Sequence, residues 1–383
     1  MNKKLVAVAV AGLLAAPLAA QAQTANVTLY GRLNLTMEAV SGRQLQDPAN
    51  GTPVNPNGVN RTVYRVSSNS SRLGVRGSES LGGGLSAIFQ IESNVSADTG
   101  GGLLGSRDTF VGLQGSWGTV KIGHFLAPYD DIITIFGNVP TLATSILSTA
   151  ALWAQGSQSI ANGGFDARLG NSIRYDSPRI AGFIGSAQIS QLDASVGQGG
   201  FGSGSAATEQ RHAYIFGAGG FYTNGPFTAG LAYEAHNKVR APTLSDYAFS
   251  AAANWNFGRV KIGGVYERLD YDVTGGNLKR NFYAISATAP IGPGEFYAQY
   301  GTARNGSGPT GAKVGQLGAG NNTGANNWSL SYTYALSKRT LAYAGYVQTR
   351  NDTNANYNFN INSYSVVPGA NASGLVLGAV HFF

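Results

Sequence analysis

Arg32, Arg72, Arg76, Lys121 and Arg174 each fall on the polar face of a segment whose residues alternate between apolar and polar types. Period two is the spacing of one face of a β-strand. Permanent positive charges on one wall of an aqueous passage sort ions by sign, because low-dielectric walls focus their field. Asp130 and Asp131 open a long apolar connector and could supply the opposing charges. A transverse field between the two sets would orient dipolar solutes in transit. Taken singly, each basic residue also fits an ordinary solvated lumen position, and the acidic pair also fits a helix cap or a turn.

The sequence points away from covalent chemistry. It has no Cys and four His, namely His124, His212, His236 and His381. None is tied by spacing to a nucleophile and an orienting carboxylate. Metal-ligand spacing is missing too, and no cofactor is implied. Gly200-x-Gly202-x-Gly204 is low complexity in a loop, with neither a strand before it nor a helix after it, as a nucleotide site requires. The net charge is +7, two units of it on Lys3 and Lys4, and only 12% of residues are charged. So dilute a surplus suits a pore interior biased towards anions and gives no nucleic-acid footprint.

Alternating segments must carry these side chains. In the first, Val27, Leu29, Leu33 and Leu35 oppose Thr28, Tyr30, Arg32 and Asn34. In the second, Leu73 and Val75 oppose Arg72, Gly74 and Arg76, and further on Val120 and Ile122 oppose Thr119 and Lys121. At the carboxy-terminal end, stepping back by twos from Phe383 gives His381, Ala379, Leu377 and Leu375. Sixteen such strands are expected, near 26–40, 62–80, 85–95, 107–115, 118–126, 170–177, 182–192, 210–223, 226–236, 245–257, 259–272, 278–290, 294–304, 326–336, 338–350 and 373–383. Tight connectors such as Leu81-Gly82-Gly83-Gly84 and Asn224-Gly225-Pro226 alternate with long polar ones such as 41–61, 193–209, 305–325 and 351–370. Short turns on one side and long loops on the other are the asymmetry of a transmembrane β-barrel. A secreted β-sandwich or propeller would also give two-faced strands.

Residues 1–22 read as a cleaved signal peptide, with Lys3 and Lys4, an apolar stretch over 5–16, Pro17, and Ala20-Gln21-Ala22 at the cleavage site. Residues 23–383 then form one all-β domain, a 16-stranded antiparallel barrel. Its connector 127–169 is the exception in composition. Ile132, Ile133, Ile135, Phe136, Leu142, Ile146, Leu147, Leu152 and Trp153 make it too apolar for a solvated loop. The wall available to it is the barrel lumen. Aromatics near strand ends, Trp117, Phe183, Tyr222, Phe227, Phe257, Phe296, Tyr343, Phe382 and Phe383, are candidates for interfacial girdles.

Several motifs carry a resemblance. They are Thr28-Leu29-Tyr30-Gly31, Ser71-Arg72-Leu73-Gly74-Val75-Arg76-Gly77-Ser78-Glu79, Phe110-Val111-Gly112-Leu113 with Trp117-Gly118-Thr119-Val120-Lys121-Ile122-Gly123, Asn171-Ser172-Ile173-Arg174-Tyr175-Asp176-Ser177-Pro178, and Leu336-Ser337-Lys338-Arg339-Thr340. In this order they resemble the trimeric general porins of betaproteobacteria across the whole of 23–383. Asn34, His124 and Phe382 stand where that family often has Asp, Arg and Arg.

The resemblance implies a homotrimer in the bacterial outer membrane, in contact with lipid and lipopolysaccharide. It implies passive passage of inorganic ions and small hydrophilic solutes, with 127–169 folded inward as a constriction. It also implies that Phe383 is read by the barrel-assembly machinery. A channel specific for one small anionic or sugar-like solute is the main alternative, although Tyr30 faces inward without a sustained aromatic track beside it. A barrel plugged by 127–169 is another.

Overall fold

The computed structural model describes residues 26–44, 58–137, 145–156, 159–192 and 213–383. The signal-peptide reading of 1–22, and with it Leu142 and His212, lies outside them. Sixteen strands form the wall. They are β1 (Asn26–Gln44), β2 in two segments (Val59–Ser68 and Arg72–Gly82), β3 (Leu85–Val95), β4 (Thr109–Gly115), β5 (Gly118–Leu126), β6 (Arg168–Asp176), β7 (Phe183–Leu192) and β8 (Ala213–Asn224). The second half contains β9 (Phe227–Asn237), β10 (Ser245–Asn256), β11 (Lys261–Val273), β12 (Gly276–Ile291), β13 (Gly294–Ala303), β14 (Ala325–Ala335), β15 (Thr340–Asn351) and β16 (Ala372–Phe382).

Every strand pairs antiparallel with its neighbours in sequence, and β16 pairs with β1 from Arg32↔Phe382 to Gly42↔Ala372. The ring therefore has no free edge, and its backbone groups are satisfied internally, as a hydrocarbon surround demands. The seam ends in a reciprocal pair of bonds: Gly31 N–H donates to the Phe383 carbonyl (3.0 Å), and Phe383 N–H donates to the Gly31 carbonyl (3.1 Å). The Phe383 ring lies so close over Gly31 that a Cβ there would sit 2.5 Å from it.

Alternation sorts the two faces. Val27, Leu29, Leu33 and Met37 of β1 are exposed on the outer face, while Arg32, Asn34, Thr36 and Glu38 are buried on the inner one. Leu375 and Leu377 against Val376 and Val380 repeat this in β16. Exposed Leu and Ile on an outer wall are stable only where hydrocarbon covers them. At the short-turn rim, Phe183, Tyr222, Phe227, Trp255 and Phe257 follow one another with ring centroids 4.4–6.3 Å apart, an aromatic belt at the membrane edge. Tyr343 and Phe382 do not belong to it. Both take inner-face positions, and the buried Tyr343 hydroxyl donates to Asn34 Oδ1 at 2.7 Å.

Three further features depart from the sequence-based outline. β2 is broken at 69–71, where Ser70 has φ 52°. The connector between β11 and β12 is only Thr274-Gly275. The connector between β15 and β16 is not solvated: Tyr357, Phe359, Tyr364, Val366 and Val367 are buried, and most of them cluster with Val40, Val347 and Val376 of the wall.

Candidate functional site

The basic residues gather where β1 to β6 adjoin. Arg32 and Arg72 are direct partners in the β1–β2 ladder, and Lys121 and Arg174 are direct partners in the β5–β6 ladder. Like charges placed directly opposite destabilise a sheet, so each pair needs a carboxylate or another acceptor. At the first pair Glu92 on β3 provides one. Its Oε1 accepts from Arg72 Nη1 at 3.2 Å and from Arg107 Nε, and its Oε2 accepts from the Tyr30 hydroxyl at 3.0 Å. Gly74 makes room for that Tyr30 ring, since a Cβ at Gly74 would lie 2.5 Å from its Cζ. The break in β2 serves the same corner, because the Ser70 carbonyl accepts from Arg32 Nε at 3.3 Å. Arg32 Nη2 is buried with no partner. Arg76 stands over the Tyr30 ring at 5.0 Å, a cation–π arrangement.

At the second pair, Arg174 Nη2 donates to Asp131 Oδ2 at 2.6 Å, its Nε to Asp176 Oδ1 at 2.8 Å, and its Nη1 to the Leu126 carbonyl at 3.1 Å. Lys121 Nζ lies 3.7 Å from Asp176 Oδ2 and packs over Phe110 and Phe125. Arg168 pairs with Asp108 at 2.7 Å. Arg107 and Arg168 were not among the residues singled out by alternation. Arg107 opens the expected strand 107–115 without an assigned role; the observed β4 starts only at Thr109, which leaves Arg107 in the connector, where burial and then Arg168 and Arg72 pull its guanidinium down to about 10, still a cation at neutral pH.

The acidic pair is placed differently from the expectation of charges facing the basic wall across the lumen. Asp131 sits on that wall, bonded to Arg174. Asp130 is buried, and its carboxyl is held well above the usual Asp range, first by desolvation and then by Asp166 and Glu234. The chain turns inward immediately after Leu126, at the single-turn helix Pro128–Asp131, so these two residues cannot travel far from β5 and β6.

Other residues of the connector reach the far inner wall. The Tyr129 hydroxyl donates to Glu267 Oε1 at 2.7 Å, Trp153 Nε1 to Ser250 Oγ at 3.1 Å, and Gln299 Nε2 to the Leu147 carbonyl at 2.8 Å. Arg280 ties Glu267 (2.7 Å) and the Leu152 carbonyl together. Ile146 lies against Gly374 and Val40, and the Tyr129 and Trp153 rings stack at 5.1 Å. Under this cover, Glu234 and Glu267 of the inner wall are buried. Thus Glu234 of β9 and Glu267 of β11 are sealed beneath the connector; in the basic cluster Arg32 and Arg174 are buried too, while Arg72 and Lys121 are half-buried and Arg76 is exposed.

A model of the Gram-negative porin family matches residues 7–354, and the chain belongs to that family. It is an outer-membrane diffusion channel. Over 395 aligned residues, covering all of both chains, it is 28% identical to outer membrane porin protein 32 of Delftia acidovorans. It is 33% identical to the major outer membrane protein P.IA of Neisseria meningitidis serogroup C over 204 residues, 49% of this chain and 46% of the relative. Among solved structures, the anion-selective porin from Comamonas acidovorans superposes with a TM-score of 0.71 at 24% identity, covering 94% of this chain and 100% of that one.

Proposed function

We propose that the channel prefers anions and that connector 127–169 is its constriction. The observation that carries this reading is the division of charge inside the barrel. Glu234 and Glu267 are buried beneath the connector. On the opposite wall Glu92 serves both Arg72 and Arg107, while Arg76 has no carboxylate partner among the described residues and Arg32 keeps a free Nη2. An ion that passes between connector and wall meets a positive field in a low-dielectric throat, where fixed charge acts most strongly. The similar fold of a porin described as anion-selective agrees with it.

We further propose that the protein works as a homotrimer and that solutes pass without saturable binding. At the basic wall Tyr30 is engaged by Glu92 and Arg76, and Phe110 and Phe125 are covered by Lys121, so these rings are already occupied and do not form a track for a sugar. Reversal potentials of the purified protein in a planar bilayer under a salt gradient test the charge reading, with the sign of anion permeation expected. A cation-signed potential would refute it. Current block that saturates with one solute would favour a substrate-specific channel instead.

A further inference from the structure

Glycine recurs on the inner face of the wall at points that no turn requires. Gly217 and Gly219 of β8, Gly230 of β9, Gly345 of β15 and Gly374 of β16 alternate in step with the buried inward residues Ile215, Ala232, Val347 and Val376. A glycine inside a strand gives up packing and backbone order, and it marks a place where another part of the chain comes close. At all five that part is the inward connector. A Cβ at Gly217 or Gly219 would lie 3.2 Å from Pro128, and one at Gly230 would lie 2.7 Å from Ile135 Cδ1. One at Gly345 would lie 2.9 and 3.0 Å from the Leu147 methyls, and one at Gly374 would collide with Ile146 Cδ1.

Ile146 and Leu147 make the far attachment. They are consecutive and buried, and their side chains enter two notches set diagonally in one ladder, where Gly345 faces Val376 and Gly374 faces Val347. The Leu147 carbonyl accepts from Gln299 Nε2 of β13 at 2.8 Å and from Ser329 Oγ of β14 at 3.0 Å. Strands β13 to β16 therefore all hold this dipeptide. Next to Gly374 stands Val40 of β1, the strand that carries Arg32. The attachment thus fixes how far the connector stands from the wall at the edge of the basic cluster. The wall behind is close-packed, so a displaced dipeptide can move only towards the lumen.

We propose that Gly345 and Gly374 are seats that set the width of the channel, and so the largest anion that passes. The proposal rests on the reading of the connector as the constriction. Each missing side chain lets the connector lie closer to the wall, and the lumen gains that space. Both are positioning residues, acting through Ile146 and Leu147. Gly374 is the better of the two to alter. A Cβ there meets nothing but the Ile146 side chain inside ordinary contact distance, whereas one at Gly345 also meets the Leu330 carbonyl at 2.8 Å.

The test compares single-channel conductance of full-length variants in potassium chloride and in potassium gluconate, whose anion is larger. Gly374→Val should lower both currents, and the gluconate current by the larger factor, because a narrowed throat excludes by size. A barrel that was merely destabilised would lose both alike. Adding Ile146→Ala moves the same side-chain volume from connector to wall and should restore both currents. Gly264→Ala, on the outer face with the Ala284 carbonyl 3.6 Å from its Cβ, should change neither. Where Gly374→Val yields no folded barrel, Gly374→Ala carries the same comparison, since its Cβ still collides with Ile146 Cδ1. An unchanged current, an equal loss for both anions, or a loss that Ile146→Ala does not repair would overturn the seats. Trp153→Ala in the same bilayer separates two failures. If it alters the current while Gly374→Val does not, the seats alone fail; if neither does, the constriction reading fails and the proposal with it.

Discussion

Arg32 and Arg72 stand directly across from each other in the ladder between β1 and β2, two guanidinium groups on one inner face. Their repulsion is tolerated because Glu92 reaches Arg72 from β3 and the Ser70 carbonyl takes Arg32 Nε. The arrangement concentrates positive charge at a cost in sheet stability, and the cost identifies which residues can be separated experimentally.

Neutralising the wall should change selectivity more than conductance. Replacing Arg72, Arg76 and Lys121 by Gln is expected to lower the ratio of anion to cation permeability, read as a shift of the zero-current potential in a salt gradient. An unchanged potential would remove the basic wall from the account of selectivity.

Glu92→Gln should act in opposite directions on two readouts. Removing the carboxylate shared by Arg72 and Arg107 makes the wall more positive, so anion preference rises. The same change leaves three polar partners poorly satisfied and is expected to cost about 1–3 kcal/mol, seen as a lower temperature for loss of the folded form in detergent.

Trp153→Ala should loosen the inward connector. The side chain stacks on Tyr129 and donates to Ser250, and deletion of a buried Trp typically costs about 3–5 kcal/mol. Because the barrel ladder is untouched, we expect a folded channel with larger, noisier conductance. A variant with unaltered current would show that this ring does not anchor the constriction.

Asp130 gives a pH dependence. Burial, with Asp166 and Glu234 nearby, raises its carboxyl pKa well above the Asp range. The folded state therefore keeps a proton that the unfolded chain releases near pH 3.9. Stability is full below that value and falls as pH climbs towards the folded pKa. Asp130→Asn, which never ionises, should flatten the decline in thermal stability measured between about pH 4 and 9.

The barrel was readable from sequence because its strongest signal is local. Leu73 and Val75 against Arg72 and Arg76 fix two faces within a few residues, and the structure assigns them accordingly. Most of what was not readable depends on contacts distant in sequence. The Asn69–Ser71 break follows from bonds of Asn69 to Thr36 and Asn362 and of Ser71 to Asn34. Residues 354–362 alternate Asn with Ala355, Tyr357, Phe359 and Ile361, a local two-residue period that the expectation of a polar connector over 351–370 missed because of the Asn content and the lack of a paired strand, yet Ala355, Tyr357 and Phe359 are buried. Tyr343 looks like a rim aromatic until its hydroxyl is seen bonded to Asn34 across the seam. Asp131 was expected across the lumen, but it lies within reach of Arg174 because the turn after Leu126 is tight.

The two inward connectors are fastened together. Asn360 donates to Asp166 at 3.0 Å, and Arg280 holds the Leu152 carbonyl with one nitrogen and the Tyr357 hydroxyl with another. The β5–β6 and β15–β16 connectors are thus parts of one linked piece. A load on the β15–β16 connector therefore reaches Leu152 and Asp166 of the other one, so, with the constriction proposed there, a ligand gripping the β15–β16 connector is expected to alter the current.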